Sequence, residues 1–210
     1  MKFTETDLKP EILSGLAEMG YEDMTPIQEQ AIPHVLAGRD VVGLAETGSG
    51  KTSACAIPMV NMTDTDNRVV QHLILVPTRE LALQYVQEID DVAKDSDVVP
   101  FAVFGGFDIN IQKAKLKHGV HILVATPGRL IDLIWNTRLD LQQVRTVVLD
   151  EADEMLDMGF IEDVDFILDC MMQEHQVLLF SATMPPEIEK LTSKYLTDPV
   201  KVILNRAQGA

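Results

Sequence analysis

The segment Ala45-Glu46-Thr47-Gly48-Ser49-Gly50-Lys51-Thr52 decides the fold of this 210-residue chain. It follows the apolar run at residues 41–45, which predicts a strand, and it opens a helical pattern that continues to Ile57. Glycines in such a loop let successive backbone amides face inward, so that a phosphate group can lie at the N-terminus of the following helix. The loop therefore predicts a nucleotide site.

Two residues at the end of this loop have side chains suited to a bound nucleotide. Lys51 can reach the β- and γ-phosphates, and the hydroxyl of Thr52 can bind Mg²⁺. Ala45 stands where the pattern G-x-x-x-x-G-K-T has its first glycine, so the match is one residue short. A glycine-rich turn with a surface lysine is the alternative, but it does not explain why strand, loop and helix coincide. The predicted cofactor contacts of the loop are Thr47, Gly48, Ser49, Gly50, Lys51 and Thr52.

Short apolar runs bounded by turn residues recur along the rest of the chain. Uninterrupted apolar strands are typical of a parallel sheet that is buried on both faces. Helical patterns lie between the runs, such as the apolar face formed by Ala82, Tyr85 and Ile89. This alternation predicts a single α/β lobe with helices on both faces of the sheet, but it leaves the strand order open. The runs are residues 72–77, 101–104, 122–125, 144–149, 177–180 and 200–204.

The overall charge argues against nucleic-acid binding. The chain has 17 Lys and Arg residues against 33 Asp and Glu residues, which gives a formal net charge of −16. Nucleic-acid-binding domains usually present a basic surface. Any contact with RNA or DNA would therefore need local donors, such as backbone amides.

Cysteine usage and apolar patterning bear on the cellular compartment. Cys55 and Cys170 have no metal-ligand spacing, so we expect two buried thiols in a reducing environment. The polar residues 1–7 lack the apolar core of a secretory signal. No apolar run approaches the roughly 18 residues that a membrane span requires. We therefore expect a cytoplasmic protein with no membrane partner.

An acidic segment follows another predicted strand. The apolar run at residues 144–149 ends in Asp150-Glu151-Ala152-Asp153. Beside a phosphate loop, Asp150 would hold Mg²⁺, usually through water, and Glu151 would polarise the attacking water. An acidic helix start is the structural alternative, because carboxylates favour a helix N-terminus. The predicted catalytic residues are Lys51, Asp150 and Glu151.

Seven motifs resemble, in the same order, those of the DEAD-box ATP-dependent RNA helicases. The resemblance covers essentially the whole chain, and the run of motifs is far more specific than any one of them. It implies a RecA-like parallel sheet flanked by helices, ATP and Mg²⁺ as cofactors and RNA as a partner. Residues 150–164 look most similar to bacterial cold-shock-type members. The motifs are residues 45–52, 77–82, 105–106, 126–129, 150–153 and 181–183, preceded by Gly20-Tyr21 with Thr25-Pro26-Ile27-Gln28.

The resemblance assigns the N-terminal motif to adenine recognition. The Gln28 amide can both donate to and accept from the adenine edge, and Tyr21 would stack on the purine. Thr25 belongs to the same motif and is implied to contact the cofactor. Phe3 lies where the family has a further stacking aromatic, although a fraying terminal residue is an equal alternative.

The remaining motifs imply an RNA surface that needs no basic stripe. Thr78 and Thr126 each close a strand and open a helix, so each can cap a helix whose free amides face a phosphate. Such a surface grips the sugar-phosphate backbone and reads no base identity. Ordinary strand-to-helix turns with surface arginines are the alternative. The implied RNA contacts are Pro77, Thr78, Arg79, Gly105, Gly106, Thr126, Gly128 and Arg129, and the implied coupling residues are Asp153, Ser181 and Thr183.

The chain departs from the family pattern in three places. Met24 replaces the usual proline, so we expect a less rigid turn and weaker adenine binding. Glu46 replaces the usual glutamine and adds a negative charge beside the triphosphate. The chain stops at Ala210, before the motifs of a second RecA-like lobe that would carry an arginine finger. We expect residues 1–38 to form a helical extension, residues 39–210 to form one lobe, and the second lobe to be its partner.

Functions from different classes fit these residues. The first is an enzyme, the ATP-binding half of an RNA-dependent ATPase that separates short RNA duplexes locally. The second is a binding module, an ATP-gated RNA clamp in which hydrolysis acts as a timer. A DNA-directed helicase or an unrelated P-loop ATPase is a third interpretation, which Gln28 and residues 126–129 disfavour. The sequence does not identify the RNA target or any protein partner.

Overall fold

A seven-stranded, fully parallel sheet forms the centre of the computed structural model, which describes residues 1–204. All seven predicted strands are confirmed, and the sheet order is β3-β4-β2-β5-β6-β1-β7. The predicted end of the lobe at residue 210 lies outside the described residues. The strands are β1 Val41–Leu44, β2 His72–Leu75, β3 Pro100–Val103, β4 Ile122–Ala125, β5 Thr146–Leu149, β6 Gln176–Ser181 and β7 Val200–Ile203.

Helices cover both faces of the sheet, as predicted. Side chains alternate along each strand, so that Ile74 packs into one hydrophobic core while its neighbours Leu73 and Leu75 pack into the other. The helices are α1 Pro10–Glu18, α2 Pro26–Leu36, α3 Lys51–Met62, α4 Arg79–Val92, α5 Ile109–Lys117, α6 Pro127–Asn136, α7 Ala152–Asp157, α8 Ile161–Asp169 and α9 Pro186–Tyr195. None of these helices is long and apolar enough to cross a membrane.

The N-terminal segment is part of the same hydrophobic core. Phe3 is 2% exposed, and its backbone amide donates to the carbonyl of Glu22 at 3.1 Å. The rings of Phe3 and Tyr21 stack with their centroids 6.3 Å apart. Phe3 is therefore anchored beside the predicted adenine-stacking residue, and the fraying alternative is wrong.

Strand order brings three chain segments together at one edge of the sheet. Strand β6 lies between β1 and β5, so the carboxyl ends of these strands are neighbours. Gly43 permits the close fit of β1 to β6, since a Cβ atom there would lie 2.4 Å from the Phe180 ring. The phosphate loop, the acidic segment and Ser181 therefore meet at this edge.

The two cysteines differ in their surroundings. Cys55 is buried in α3, as predicted, and burial raises the pKa of its thiol. The prediction of a buried thiol is wrong for Cys170, which is exposed. Cys170 follows the last turn of α8, about 200° around the helix from buried Leu168, and therefore points away from the core.

Candidate functional site

The phosphate loop has the conformation that its glycines predict. Gly48 and Gly50 have φ values of +87° and +88°. These values favour glycine, because a residue with a Cβ atom would be strained in that conformation. Gly50 is the N-cap of α3 and touches the N-terminal motif, because a Cβ on it would lie 2.8 Å from the hydroxyl oxygen of Thr25. The loop is thus held against α2 and presents a helix N-terminus to any bound phosphate.

Lys51 is buried among carboxylates at the start of α3. Its ammonium nitrogen lies 2.9 Å from Asp150 Oδ1 and 3.7 Å from Glu151 Oε1, and its side chain is 5% exposed. Burial alone would lower the pKa of Lys51, but the charges of Asp150 and Glu151 outweigh burial and raise it above its ordinary value. The ammonium is therefore charged at neutral pH, as phosphate binding requires.

Asp150 has a second partner that sequence reasoning did not find. Its Oδ2 accepts a hydrogen bond of 2.6 Å from the hydroxyl of Tyr85, a fully buried residue of α4. Its Oδ1 also accepts from the amide of Glu151 at 2.8 Å. The sequence placed Tyr85 on the apolar face of α4, and the only available signal was that a buried tyrosine hydroxyl needs a partner.

Glu151 faces a cavity of about 280 Å³ beside the phosphate loop. Its backbone has a φ of +55°, an uncommon value for a residue with a side chain, and the Thr47 hydroxyl donates to its Oε1 at 3.4 Å. Burial and the neighbouring Glu154 raise the pKa of Glu151. A carboxylate with a raised pKa is a better proton acceptor, which suits a general base.

The same cavity favours a divalent cation. Four carboxylate residues and one cationic residue line it, and the cation is Lys51. Carboxylate and hydroxyl oxygens are ligands that Mg²⁺ prefers in proteins. The carboxylates that line the cavity therefore fit a bound magnesium ion. The predicted ligands Asp150 and Thr52 are not among the lining residues: Asp150 is fully buried against Lys51, and Thr52 lies in the first turn of α3.

Asp153 connects the acidic segment to β6 and the chain beyond it. Its amide donates to Ser181 Oγ at 3.1 Å, and its Oδ2 accepts from the Thr183 hydroxyl at 2.9 Å and from the Thr183 amide at 3.1 Å. Burial opposes ionisation, but these hydrogen bonds outweigh it and lower the pKa of Asp153. The structure brings the three predicted coupling residues together.

Gln28 joins the adenine motif to the phosphate loop. Its Oε1 accepts from the Thr25 amide at 3.0 Å, and its Nε2 donates to the Gly50 carbonyl at 3.5 Å. Thr25 in turn caps α2 by accepting from the Gln28 amide at 3.4 Å. The side-chain amide of Gln28 therefore has partners within the protein as well as the chemistry to read adenine.

Glu88 is a further residue that sequence reasoning missed. Its carboxylate accepts from the hydroxyl of Tyr21 at 3.2 Å and also from the hydroxyl of Ser53 in α3. Glu88 thus holds the predicted purine-stacking ring against α3 and α4. Nothing in the local sequence pattern of α4 separates Glu88 from the other carboxylate residues of that helix.

Met24 anchors the turn that precedes Thr25. Its side chain is buried, and its amide donates to the Met1 carbonyl at 2.9 Å. Proline has no amide hydrogen and could not make this contact. Hydrogen bonding and packing of Met24 therefore hold the turn that a proline ring holds in the family pattern.

The predicted RNA contacts follow three neighbouring strands on the other half of the same edge. Residues 77–79 follow β2, residues 105–106 follow β3 and residues 126–129 follow β4, and these strands are adjacent in the sheet. The phosphate loop instead follows β1, the acidic segment follows β5 and Thr183 follows β6. The structure therefore divides one edge of the sheet into two candidate sites.

Side chains on this second half differ in how they are held. Thr78 caps α4 by accepting from the Leu81 amide at 3.2 Å, as predicted. Thr126 occupies the N-cap position of α6, but its hydroxyl makes no capping hydrogen bond, contrary to expectation. An N-cap hydroxyl would accept from the amides of Gly128 or Arg129, so these amides receive no bond from the Thr126 side chain.

Both predicted RNA-binding arginines contact the loop after β3. The guanidinium of Arg79 lies over the Phe107 ring, 4.7 Å from its centroid. Arg129 donates to the Phe107 carbonyl at 2.8 Å and to Gln112 Oε1 at 2.9 Å. The two arginines are thereby brought to one loop. Arg79 is exposed, whereas the side chain of Arg129 is only 13% exposed and lies 3.9 Å from the carboxylate of Asp132.

Comparisons with known proteins agree with this geometry. The family described as DEAD/DEAH box helicase matches residues 25–191. The chain is 47% identical over 197 residues to the DEAD-box ATP-dependent RNA helicase CshA of Bacillus cereus, covering 94% of the chain and 38% of that protein. It is 48% identical over 202 residues to the ATP-dependent RNA helicase CshA of Limosilactobacillus reuteri, covering 96% and 41%. The chain thus spans about two fifths of the length of these curated relatives.

A solved structure is also closely similar. The crystal structure of a DEAD box protein from the hyperthermophile Methanococcus jannaschii matches with a TM-score of 0.93 and 41% sequence identity. The match covers 98% of this chain and 56% of that one. The predicted α/β, RecA-like fold is confirmed.

Proposed function

Because the chain belongs to the DEAD/DEAH box helicase family, we propose that it is the ATP-binding and RNA-contacting lobe of an RNA-dependent ATPase that locally separates short RNA duplexes. Residues 1–38 serve as the adenine-reading extension of the lobe that begins at residue 39. The second lobe is a further segment with its own cationic and RNA-binding residues.

One observation carries the proposal. Lys51, Asp150 and Glu151 converge at the carboxyl ends of β1 and β5, with the ammonium 2.9 Å from one carboxylate and 3.7 Å from the other. An ammonium, a metal-binding carboxylate and a partly exposed carboxylate are the groups that phosphoryl transfer to water requires.

Each group has a separate task when ATP is bound. Backbone amides of residues 47–52 bind the phosphates, and Lys51 turns its charge toward them. Asp150 and Thr52 would hold Mg²⁺, which supplies positive charge to the phosphate oxygens. Glu151 accepts the proton of the attacking water, and its raised pKa favours that transfer.

RNA binds across the half of the sheet edge formed by the ends of β2, β3 and β4. Arg79 and Arg129 contact phosphates, and the glycines of residues 105–106 allow a close approach of the backbone. These contacts are to the sugar-phosphate backbone, so the lobe binds RNA without sequence specificity.

Helix α4 links the two halves of the edge. It begins at Arg79 on the RNA side, carries Tyr85 to Asp150 and carries Glu88 to Tyr21. A shift of α4 on RNA binding would therefore move partners of both the metal-binding carboxylate and the adenine-stacking ring.

We expect Tyr85→Phe to weaken the affinity of the nucleotide-bound protein for Mg²⁺ by about tenfold, because a hydrogen bond from a neighbouring residue to a metal ligand orients that ligand. The substitution removes one oxygen and keeps the buried ring, so the fold should survive. Mg²⁺ titrations of fluorescent ADP binding measure the effect.

Tyr195→Phe is the matched control for this experiment. Tyr195 donates to Asp165 and Asp169 far from the phosphate loop, so the same chemical change there should leave the Mg²⁺ titration unaltered. Identical Mg²⁺ curves for Tyr85→Phe and the unmodified chain would contradict a positioning role for this hydroxyl.

We expect the site to bind ADP more tightly than GDP, because Gln28 and Tyr21 are placed to read the base. Gln28→Ala should narrow the ratio of the two affinities. The substitution also removes two hydrogen bonds within the protein, so the ratio is the informative quantity and absolute affinity is not. Equal affinities of the unmodified chain for ADP and GDP would contradict adenine recognition by this motif.

The proposed function is tested with a protein that contains both lobes. ATP hydrolysis should rise with single-stranded RNA more than with DNA of the same sequence, and short RNA duplexes should separate when ATP is present. Retention of RNA without duplex separation would favour the ATP-gated clamp. Equal stimulation by DNA would contradict the proposal.

A further inference from the structure

A second basic surface lies at the opposite edge of the sheet from the nucleotide site. It is a groove of about 860 Å³ where β2 and β4 begin and where α5 and α6 end. We call it the far groove. The cationic residues that line it are Arg68, Lys113, Lys117 and Arg138, together with His118, and Asp140 is the one acidic residue of its lining.

The net negative charge of the whole chain does not reveal this local positive charge. Residues 109–131 contain no Asp or Glu, although the chain has 33 of them. The same stretch contains Lys113, Lys115, Lys117 and Arg129. Although the chain has a net charge of −16, all charged residues of this continuous segment are therefore basic.

The cations of the far groove are not neutralised by the protein. Within residues 1–204, Lys113, Lys117 and Arg138 take part in no ion pair, whereas Lys51, Lys94 and Lys194 do. Lys113 is also half-buried. Cations that cluster without carboxylate partners create a positive potential that attracts an anion.

The walls of the groove are held in place. The Arg68 guanidinium donates to the Gly119 carbonyl at 3.2 Å. Gly119 has a φ of +86°, and a Cβ on it would lie 2.7 Å from the Arg68 carbonyl oxygen. The two loops that border the groove are thus packed together.

Two helices connect the far groove to the candidate RNA face. Helix α5 begins just after Gly105-Gly106, α6 begins at Pro127, and both end at the groove. With nine and ten residues, they are about 14–15 Å long at about 1.5 Å per residue. Arg129 and Gln112 bridge the two helices at the RNA end, so both helices are fixed to each other along the path between the sites.

We propose that the far groove binds RNA phosphates and extends the RNA surface beyond the loops at the carboxyl edge. This inference rests on the proposed function. The ligand class is a polyanionic sugar-phosphate backbone, since the groove offers clustered, unneutralised cations and continuity with the RNA face. An acidic protein segment is the competing occupant, and the experiment below separates the two.

The test compares two triple variants that change the net charge equally. The groove variant is Lys113→Gln, Lys117→Gln and Arg138→Gln, and the control variant is Lys94→Gln, Lys190→Gln and Lys201→Gln. Fluorescence anisotropy measures binding to single-stranded RNAs of about 6 and about 18 nucleotides over a salt series. Thermal unfolding confirms that both variants fold.

The groove variant should bind the longer RNA about tenfold more weakly at low salt, and its salt slope should fall by about two, because each phosphate contact releases counterions. The shorter RNA should be affected much less, since it spans the loops alone. The charge-keeping variant Lys113→Arg, Lys117→Arg and Arg138→Lys should restore binding. The control variant should differ little from the unmodified chain.

Equal losses in the groove and control variants would show that overall charge matters and would overturn the proposal. So would a groove variant that loses binding to polyglutamate while keeping its RNA affinity. Arg79→Gln with Arg129→Gln is measured in parallel. If that variant loses RNA binding and the groove variant does not, the far groove fails while the proposed function stands. If the unmodified chain binds no RNA even at low salt, both fail.

Discussion

Glu151→Gln is expected to reduce ATP turnover by roughly 10²–10⁴-fold in a two-lobe protein, which is the contribution typical of a general base. Nucleotide affinity should change little, because Glu151 acts on the proton transfer in the transition state and not on the bound ground state. Single-turnover hydrolysis and ADP titration measure the two effects separately.

Glu154→Gln is the matched control, since Glu154 lines the same cavity and the substitution is chemically identical. It removes a neighbour that raises the pKa of Glu151, so a small change in the pH profile is expected. Hydrolysis at the normal rate by Glu151→Gln would assign the base to another residue.

Lys51→Ala is expected to weaken nucleotide binding, because the lysine charge acts on the phosphates of the bound ground state. It should also lower the free energy of unfolding of the nucleotide-free protein, because Asp150 is fully buried and would lose the one ion-pair partner it has within residues 1–204. Unfolding in urea with and without ADP distinguishes lost binding from lost stability. An unchanged ADP affinity would contradict the role of Lys51 at the phosphates.

Addition of a second lobe is expected to raise ATP turnover by about 10³–10⁵-fold, the effect typical of an arginine finger. Charge that builds up on the transferred phosphoryl group needs a further cation. In the part of the chain described by the structure, Lys51 is the one cation that lines the catalytic cavity, against four carboxylate residues. Arg79 and Arg129 follow β2 and β4, on the half of the sheet edge proposed to bind RNA.

The 210-residue chain alone should therefore bind ADP, hydrolyse ATP very slowly and separate no duplex. RNA binding should be weak at physiological salt, because long-range repulsion by a −16 chain opposes the local cations. Steady-state hydrolysis with and without RNA, for the chain and for a two-lobe protein, tests this expectation. Robust RNA-stimulated turnover by the chain alone would contradict the two-lobe mechanism.

The separation of the two sites also resolves the conflict between acidic composition and RNA binding. Carboxylates concentrate at the nucleotide cavity, where a metal ion is expected, whereas residues 109–131 have none. Net charge averages over these two regions. It therefore argues against RNA binding more strongly than the local surfaces do.

Much of the fold was predictable because its signals are local. Each strand is a short apolar run with turn residues at its ends, and each phosphate-loop glycine sits where a positive φ is required. The capping of α4 by Thr78 was predicted from its place between a strand and a helix, and the bonding of Asp153 to Ser181 and Thr183 was implied by the family resemblance. Local rules failed where a helix ends, as at exposed Cys170, and where a cap residue leaves its hydroxyl unused, as at Thr126.

The sequence by itself determined the class of fold, the phosphate loop and the acidic segment to which catalysis is assigned by proposal, because those features depend on neighbours in the chain. Only the tertiary structure decided the strand order, since the apolar strands look alike in composition and any pair could form a parallel ladder. That order places β1, β5 and β6 together and β2, β3 and β4 together, which divides the sheet edge into the candidate nucleotide half and the proposed RNA half. It also brings Tyr85 to Asp150 and Glu88 to Tyr21, contacts between residues 65 and 67 positions apart, which no local pattern encodes.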